Sequence, residues 1–318
     1  MAARPLTIAC GDYDRTRPLI DGTVKPDGLE LNWLVLPHQE MWTRMLDRYE
    51  FDASELSLAN YLIARTTGKP LIAIPIFPAR AFRHAYVFVN TRSGIREPRD
   101  LAGKRVGLAE FPQTATVWVR GILQHDYEVP LREIRWVTWT RTRVEVDLAG
   151  YRVEEVPEGN EPVKMLIEGD LDAMIIPFVP PAFLGAAQVK RLFENYREVE
   201  VAYFKRSGIF PIMHTVVMRE ELWREVPWIA PSLFNAFQEA KRVAYGNLDN
   251  PSPYKISLAW ARETFAEQKT LLGPDPWAYG LAKNRHVLET LVGYLYEQGL
   301  VRKRLPIEEF FAPNTREL

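Results

Sequence analysis

The stretches 6–10, 29–36, 51–56 and 71–77 read as strands. Between them, residues 38–49 and 58–66 carry apolar side chains at helical spacing. Met41, Met45, Leu46 and Tyr49 share one face, as a helix lying on a sheet requires. Strand and helix signals alternate from the start, which is the pattern of a parallel α/β sheet.

A second series follows. Residues 85–90 predict another strand, 95–103 a short capped helix ending at Gly103, and 105–109, 134–139 and 172–176 further strands. Residues 114–127 and 163–168 have helical period between them. The run Pro177-Phe178-Val179-Pro180-Pro181 ends the strand before it, because proline cannot donate to a ladder. Residues 212–218 predict one more strand, and 220–247 with most of the C-terminal stretch are helical, broken near Pro227 and Pro231. The expected fold class is therefore α/β with two lobes. Residues 1–88 plus 210–318 form a discontinuous lobe that holds the C-terminal helices, and 89–209 an inserted one. A lobe built from both chain ends, joined to an inserted lobe by two crossing strands, is the layout of type II periplasmic-binding proteins, with a ligand cleft between lobes. Open α/β sheets bind ligands beyond the carboxyl ends of their strands, so post-strand loops are the places to look for chemistry.

Composition narrows the partners. A chain of 318 residues suits two domains, and 47% hydrophobic with 25% charged residues excludes a disordered or fibrous protein. Lys plus Arg number 40 against 41 Asp plus Glu, so neither nucleic acid nor a membrane surface is implied as a partner. A homo-oligomer remains open. Cys10 is the sole cysteine and ends an apolar run, where a buried small residue is the usual occupant; a catalytic thiol is the alternative. The N-terminal residues lack the basic start and apolar run of a secretory signal, and no apolar run is long enough to span a membrane, so a cytoplasmic location is expected.

Post-strand segments supply the candidate residues. Gly11 to Arg17 gathers Asp12, Tyr13, Asp14, Arg15 and Arg17. Glu55 sits at a strand end among apolar residues and needs a partner if buried, while Ser57 can cap the next helix. Arg80, Arg83 and His84, interleaved with Phe77 and Phe82, suit an aromatic acid: a guanidinium forks a carboxylate and rings stack on rings. The helix opening at Gln113, Thr114, Thr116 and Trp118 offers free amides to an anion, although Thr114 serves equally as a simple N-cap. His214 begins the returning strand after Phe210, and in a two-lobe cleft it would face His84. These two imidazoles are the natural titrating groups near neutral pH. His38, His125 and His286 lie on helical stretches and read as surface residues.

The wording of these segments resembles the 4,5-dihydroxyphthalate decarboxylase family. The likeness rests on Gly11-Asp12-Tyr13-Asp14-Arg15-Thr16, Ser54-Glu55-Leu56-Ser57-Leu58, Phe77-Pro78 with Phe82-Arg83-His84, the Gln113 to Trp118 opening, and Gly208-Ile209-Phe210-Pro211-Ile212-Met213-His214. It runs over nearly the whole chain and implies a type II periplasmic-binding fold put to enzymatic use. One departure stands out. Where the family pattern implies a basic residue after the 172–176 strand, this chain has Pro177 to Pro181 with Phe178. One carboxylate of a phthalate would then be held less firmly, so a monocarboxylate or a differently substituted ring is a further option.

The resemblance implies a decarboxylase of a hydroxylated aromatic carboxylate, acting by ring protonation and loss of carbon dioxide. A general acid of pKa near 7 is then needed, for which His84 and His214 are the candidates, with Glu55 tuning an imidazole or holding a ring hydroxyl. Arg83, with Arg15 or Arg17, would orient the acid; Asp12, Ser57, Arg80, Gln113, Thr114, Thr116, Trp118, Phe178 and Phe210 complete the expected binding set. No phosphate-binding glycine loop, nucleophile elbow, His-Glu-x-x-His or paired cysteines occur, so no cofactor and no metal are expected. A metal held by Glu55, His84 and His214 is conceivable on ligand type alone. The rival reading is a solute-binding protein delivering a small carboxylate to a transporter, which uses the same fold and the same arginines.

Overall fold

A computed structural model describes residues 3–156, 159–252 and 254–318. The chain divides into two compact units, Met1–Arg80 with Ile212–Glu289 and Leu305–Leu318, and Ala81–Pro211 with Thr290–Arg304. The second unit thus begins before residue 89 and takes back part of the C-terminal helical stretch, which the expectation had placed wholly in the first lobe.

In chain order the elements are β1 (Arg4–Ala9), α1 (Arg17–Ile20), β2 (Leu29–Leu34), α2 (His38–Arg48), β3 (Ala53–Ser57), α3 (Leu58–Thr66) and β4 (Leu71–Ile74). Next come β5 (Val87–Asn90), β6 (Arg105–Leu108), α4 (Thr114–Tyr127), β7 (Arg135–Thr138), β8 (Arg152–Glu155), α5 (Pro162–Glu168), β9 (Ala173–Ile175), β10 (Val189–Arg191) and α6 (Tyr196–Ser207). The chain ends with β11 (His214–Arg219), α7 (Glu220–Glu225), α8 (Ile229–Leu248), α9 (Ala261–Leu272) and α10 (Leu281–Glu297).

The first unit carries a five-stranded sheet in the order β2-β1-β3-β11-β4. Strand β1 runs parallel to β2 and β3, whereas β11 lies antiparallel between β3 and β4. The second unit carries six strands in the order β10-β5-β9-β6-β7-β8, with β5 antiparallel to β9 and β10 and the other pairings parallel. Each sheet is therefore mixed rather than purely parallel. Strand β11, which returns from the second unit, is the source of the antiparallel pairing in the first. All five residues of β3 are buried, as a central strand covered on both faces must be, and this draws the charged Glu55 into the interior.

Strands β8 and β10 and helix α6 escaped the apolar pattern for physical reasons. Strand β8 is an edge strand of sequence RVEE, largely exposed, so it has no buried face to advertise. Helix α6 fully buries only Tyr203. At 98–101 the chain forms a 3-10 turn rather than a longer helix, closed by reciprocal capping between Glu97 and Asp100. The helical break falls between α7 and α8, with Pro231 in the first turn of α8, where a missing N–H costs no bond.

The second unit's core gathers Phe88, Val137, Leu166, Leu171, Met174, Ile176 and Phe183. Beside it, Trp118 on α4 is fully buried and packs edge-on against Tyr294, so it is a core residue rather than part of an anion site. Gly121, one turn further along α4, makes room for the same ring: a Cβ there would stand 2.0 Å from Tyr294. Among the described residues no helix is long and apolar enough to cross a membrane.

Because the clash is with a buried aromatic ring that cannot swing into solvent, Gly121→Ala is expected to destabilise the protein by about 1–3 kcal/mol. Equilibrium urea unfolding would measure this; an unchanged midpoint would show that the ring has room to retreat.

Candidate active site

Glu55 is the centre of a polar cluster inside the first unit. Its Oε2 accepts the Gly11 amide at 2.8 Å and lies 3.4 Å from the Cys10 thiol. Its Oε1 accepts the Tyr13 hydroxyl at 2.8 Å and stands 2.5 Å from Nδ1 of His214. Register explains the last contact. Strand β11 sets Val216 opposite Glu55 and His214 opposite Ser57, so Glu55 and His214 are diagonal neighbours on one face of an antiparallel pair.

His38 opens α2 directly after Pro37, and its Nε2 lies 2.9 Å from the Tyr13 hydroxyl and 3.7 Å from Glu55 Oε1. One turn along, Trp42 stacks on the His38 ring at 5.3 Å and meets His214 edge-on at 4.9 Å, so a single indole orients both imidazoles. The loop that brings Tyr13 in is pinned by buried Thr16, whose hydroxyl donates to the Gly11 carbonyl and accepts from the Tyr13 amide, each at 2.8 Å. Gly11 must lack a side chain, since a Cβ there would fall 2.4 Å from the Tyr13 ring.

The electrostatics follow from burial around one anion. Burial pushes the Glu55 carboxyl up, but the hydrogen bond and charge of His214, the charge of His38 and the Gly11 amide outweigh it and hold the pKa at about 2. Burial, and next the Glu55 charge, raise the Tyr13 phenol and the Cys10 thiol well above their ordinary values. Both therefore stay protonated, and Cys10 is a packed thiol rather than a nucleophile. Burial lowers the His38 pKa despite the pull of Glu55. One donor atom from each of His38, Glu55 and His214 lies within 4.8 Å of the others, so these three could also hold a metal ion.

The other expected residues fall elsewhere. His84 belongs to the second unit and is walled by Phe193, Tyr203 and Tyr127 at 5.2, 5.3 and 6.2 Å. Among the described residues neither of its ring nitrogens has a hydrogen-bond partner, and burial with the Arg206 charge lowers its pKa to about 4. The imidazole joining Glu55 and His214 is thus that of His38, which its helical position had suggested was a surface residue. His38 opens a helix just beyond β2, so the rule that favours post-strand loops would have found it; its i, i+4 spacing from Trp42 is the second signal.

Among the arginines, Arg80 is buried in the first unit and donates to the Ala278 carbonyl at 2.7 Å and to Asn284, which makes it a structural anchor. Arg15 donates to the Pro78 carbonyl and pairs with Asp14, its guanidinium lying between the rings of Tyr13 and Trp277. Arg17 is exposed and pairs with Asp12. Arg83, in the second unit, is buried with Nε and Nη1 lacking hydrogen-bond partners, and burial lowers its pKa to about 10.

At the opening of α4 the N-cap is Gln113, not Thr114, and the Gln113 side chain makes no capping bond. Thr114 is buried. The Thr116 hydroxyl donates back to the Gln113 carbonyl at 2.7 Å, with those of Phe111 and Glu110 also in reach, so it braces the turn. Ser57 is the N-cap residue of α3 but likewise makes no side-chain capping bond. Phe210 stacks on Phe82 at 4.7 Å, and Phe178 is exposed beyond β9.

A 4,5-dihydroxyphthalate decarboxylase of Comamonas testosteroni is 37% identical over 326 residues, covering 100% of this chain and 99% of its own length. The chain belongs to the 4,5-dihydroxyphthalate decarboxylase family. A Pseudomonas putida protein of the same name is 37% identical over 199 residues, covering 60% of this chain and 77% of that protein. No family model matches the chain. Among solved structures, the alkanesulfonate-binding protein SsuA from Xanthomonas axonopodis pv. citri bound to MOPS aligns with a TM-score of 0.57 at 14% identity over 98% of this chain and 99% of that one. The periplasmic aliphatic sulphonate binding protein SsuA from Escherichia coli aligns at 0.54 and 14% identity, with both chains covered completely. This family member therefore has the α/β, two-lobe fold of type II periplasmic-binding proteins.

The position of His84 has a consequence for acid stability. Its pKa falls from 6.5 to about 4 on folding, so the unfolded chain binds the proton more tightly. The stability this confers is complete above pH 6.5 and is lost as pH falls through 4, by about 3 kcal/mol at pH 4. His84→Phe is expected to remove most of that pH-dependent loss, which urea unfolding at pH 7 and pH 4 would show.

Proposed function

We propose that this chain is a carboxy-lyase that removes carbon dioxide from a hydroxylated aromatic carboxylate of the 4,5-dihydroxyphthalate kind, with Glu55, His214 and His38 as its chemical centre. The observation that carries the reading is a fully buried carboxylate met by two imidazoles, in a chain that aligns end to end with a decarboxylase. Burying such an anion is costly, and structural needs alone rarely call for it.

In the reaction the bond from ring carbon to carboxylate breaks, its electron pair stays on the carbon, and one proton is taken up there. An aryl carboxylate plus a proton becomes an arene plus carbon dioxide. A hydroxyl para to that carbon supplies the electron density that makes it basic, and in 4,5-dihydroxyphthalate each hydroxyl is para to one carboxylate. The cluster handles this hydroxyl side of the ring. Its fixed anion and oriented imidazoles polarise the oxygen as charge develops, and they need no rearrangement at the moment of reaction. His84 is left out of the chemistry, because it has neither a partner nor a pKa near 7. Arg83 offers a carboxylate two buried donors that have no hydrogen-bond partner among the described residues.

The likeness to solute-binding proteins at 14% identity speaks for the fold alone. A transport role is not favoured beside a full-length decarboxylase relative.

Purified protein incubated with hydroxylated phthalates and benzoates should release carbon dioxide from at least one of them. His214→Asn should lower kcat about 10²–10⁴-fold with little change in KM, as expected for an interaction made mainly in the transition state. Undiminished turnover would remove the cluster from the chemistry.

Arg83→Ala should weaken substrate affinity about 10–100-fold, the worth of a charge-assisted contact, while leaving the protein at least as stable because an unpaired buried charge is lost. A thermal-shift titration reads both effects, and equal affinity in the folded variant would take Arg83 out of the binding site.

A further inference from the structure

The donors around Glu55 are near enough to one another to share an ion, the closest pair, Glu55 Oε1 and His214 Nδ1, standing 2.5 Å apart. One atom from each of His38, Glu55 and His214 lies within 4.8 Å of the other two. Three ligands held about 2.1 Å from a tetrahedral ion stand about 3.4 Å apart, so side-chain shifts on the order of 1 Å interconvert the two arrangements. The supports for such a site are in place. The Gly11 amide holds Glu55 Oε2 at 2.8 Å, and Trp42 packs against both imidazole rings. Anchored ligands of this kind are what a metal site needs from its surroundings. The Tyr13 hydroxyl donates to the Oε1 lone pair that an ion would use, and yields it on binding. Two imidazoles with one carboxylate suit zinc, iron(II), cobalt(II) or manganese(II) rather than calcium or magnesium, which prefer all-oxygen sites.

We infer that His38, Glu55 and His214 bind one first-row divalent transition-metal ion, and that this ion takes the two adjacent hydroxyl oxygens of a catecholic carboxylate as further ligands. The second half rests on the decarboxylase reading; the first half stands without it. Three protein ligands leave two or three positions open on a five- or six-coordinate ion, and two adjacent ring hydroxyls form a chelating pair that fills two of them. A coordinated hydroxyl loses its proton more readily, as metal-bound water does. The resulting oxygen anion is para to the carbon that loses carbon dioxide, so the ion would favour the charge distribution that the reaction needs. A ring with a single hydroxyl could not chelate, which makes the vicinal diol the specificity element.

The test uses the full chain, stripped with a chelator, dialysed and titrated with cobalt(II) while its visible absorption is followed. One equivalent should bind. Affinity should fall at least about 100-fold in Glu55→Gln and in His38→Ala, and stay unchanged in the surface control His125→Ala. Circular dichroism checks folding, and His38→Ala, at the exposed start of a helix, serves if Glu55→Gln does not fold. Adding 3,4-dihydroxybenzoate to the cobalt protein should shift its bands, whereas 4-hydroxybenzoate should not. Absence of saturable cobalt binding, or full binding in both variants, overturns the site. Identical responses to the two benzoates overturn the chelation. Full decarboxylation by metal-free protein overturns the ion's role and leaves the decarboxylase reading intact. A band shift with no carbon dioxide from any hydroxylated aromatic acid sinks that reading and leaves the metal site standing.

Discussion

A carboxylate with no exposure to solvent is the constraint around which the first unit is organised. Left alone, the Glu55 anion would cost several kcal/mol to bury or would take up a proton. It does neither, because the Gly11 amide, the Tyr13 hydroxyl and His214 all meet it, and its pKa is held at about 2. Gly11 and Tyr13 come from the loop that follows β1, and His214 from the returning strand β11. The anion therefore ties two separate chain segments to β3 by polar contacts.

The supporting residues make sense as a response to that demand. Gly11 leaves room for the Tyr13 ring, Thr16 pins the loop, and Trp42 limits how both imidazoles can rotate. A cluster held this way reorganises only by small side-chain shifts, and preorganised polar groups are what stabilises developing charge. One buried cation of the second unit is held without an ion pair, whereas Arg143 pairs with the buried Glu110. Arg120 is fully buried with no carboxylate beside it; it donates to the Phe111 carbonyl and to Gln298 and lies over the Phe111 ring. Those contacts engage Nε and Nη2 and leave Nη1 without a hydrogen-bond partner among the described residues. Among the described residues, Arg83 has no hydrogen-bond partner at Nε and Nη1.

Much of this architecture could be read in the chain before any coordinates. Apolar runs marked the core strands because a strand covered on both faces has no polar side to show. The motifs around Gly11, Glu55 and His214 carried the family, and Glu55 was conspicuous as a charge at a strand end. Strands β8 and β10 were silent, because short edge strands follow no such burial rule.

Tertiary structure alone decided which side chains meet. Glu55 and His214 are 159 residues apart, and they touch only because β11 runs antiparallel beside β3 in one register; a slip of one residue would turn His214 to the opposite face. His38 joins them instead of His84, because the start of α2 reaches the same end of the sheet while His84 is enclosed by aromatic rings in the other unit. Likewise Arg80 and Arg83 look equivalent as a sequence motif, yet one is bonded to a backbone carbonyl and the other keeps free donors. Hydrophobic period reports how each segment is buried, so the sequence by itself determined the fold class, the core strands and the family. Strand order and register determine which distant polar groups share a space, and these depend on packing over the whole unit.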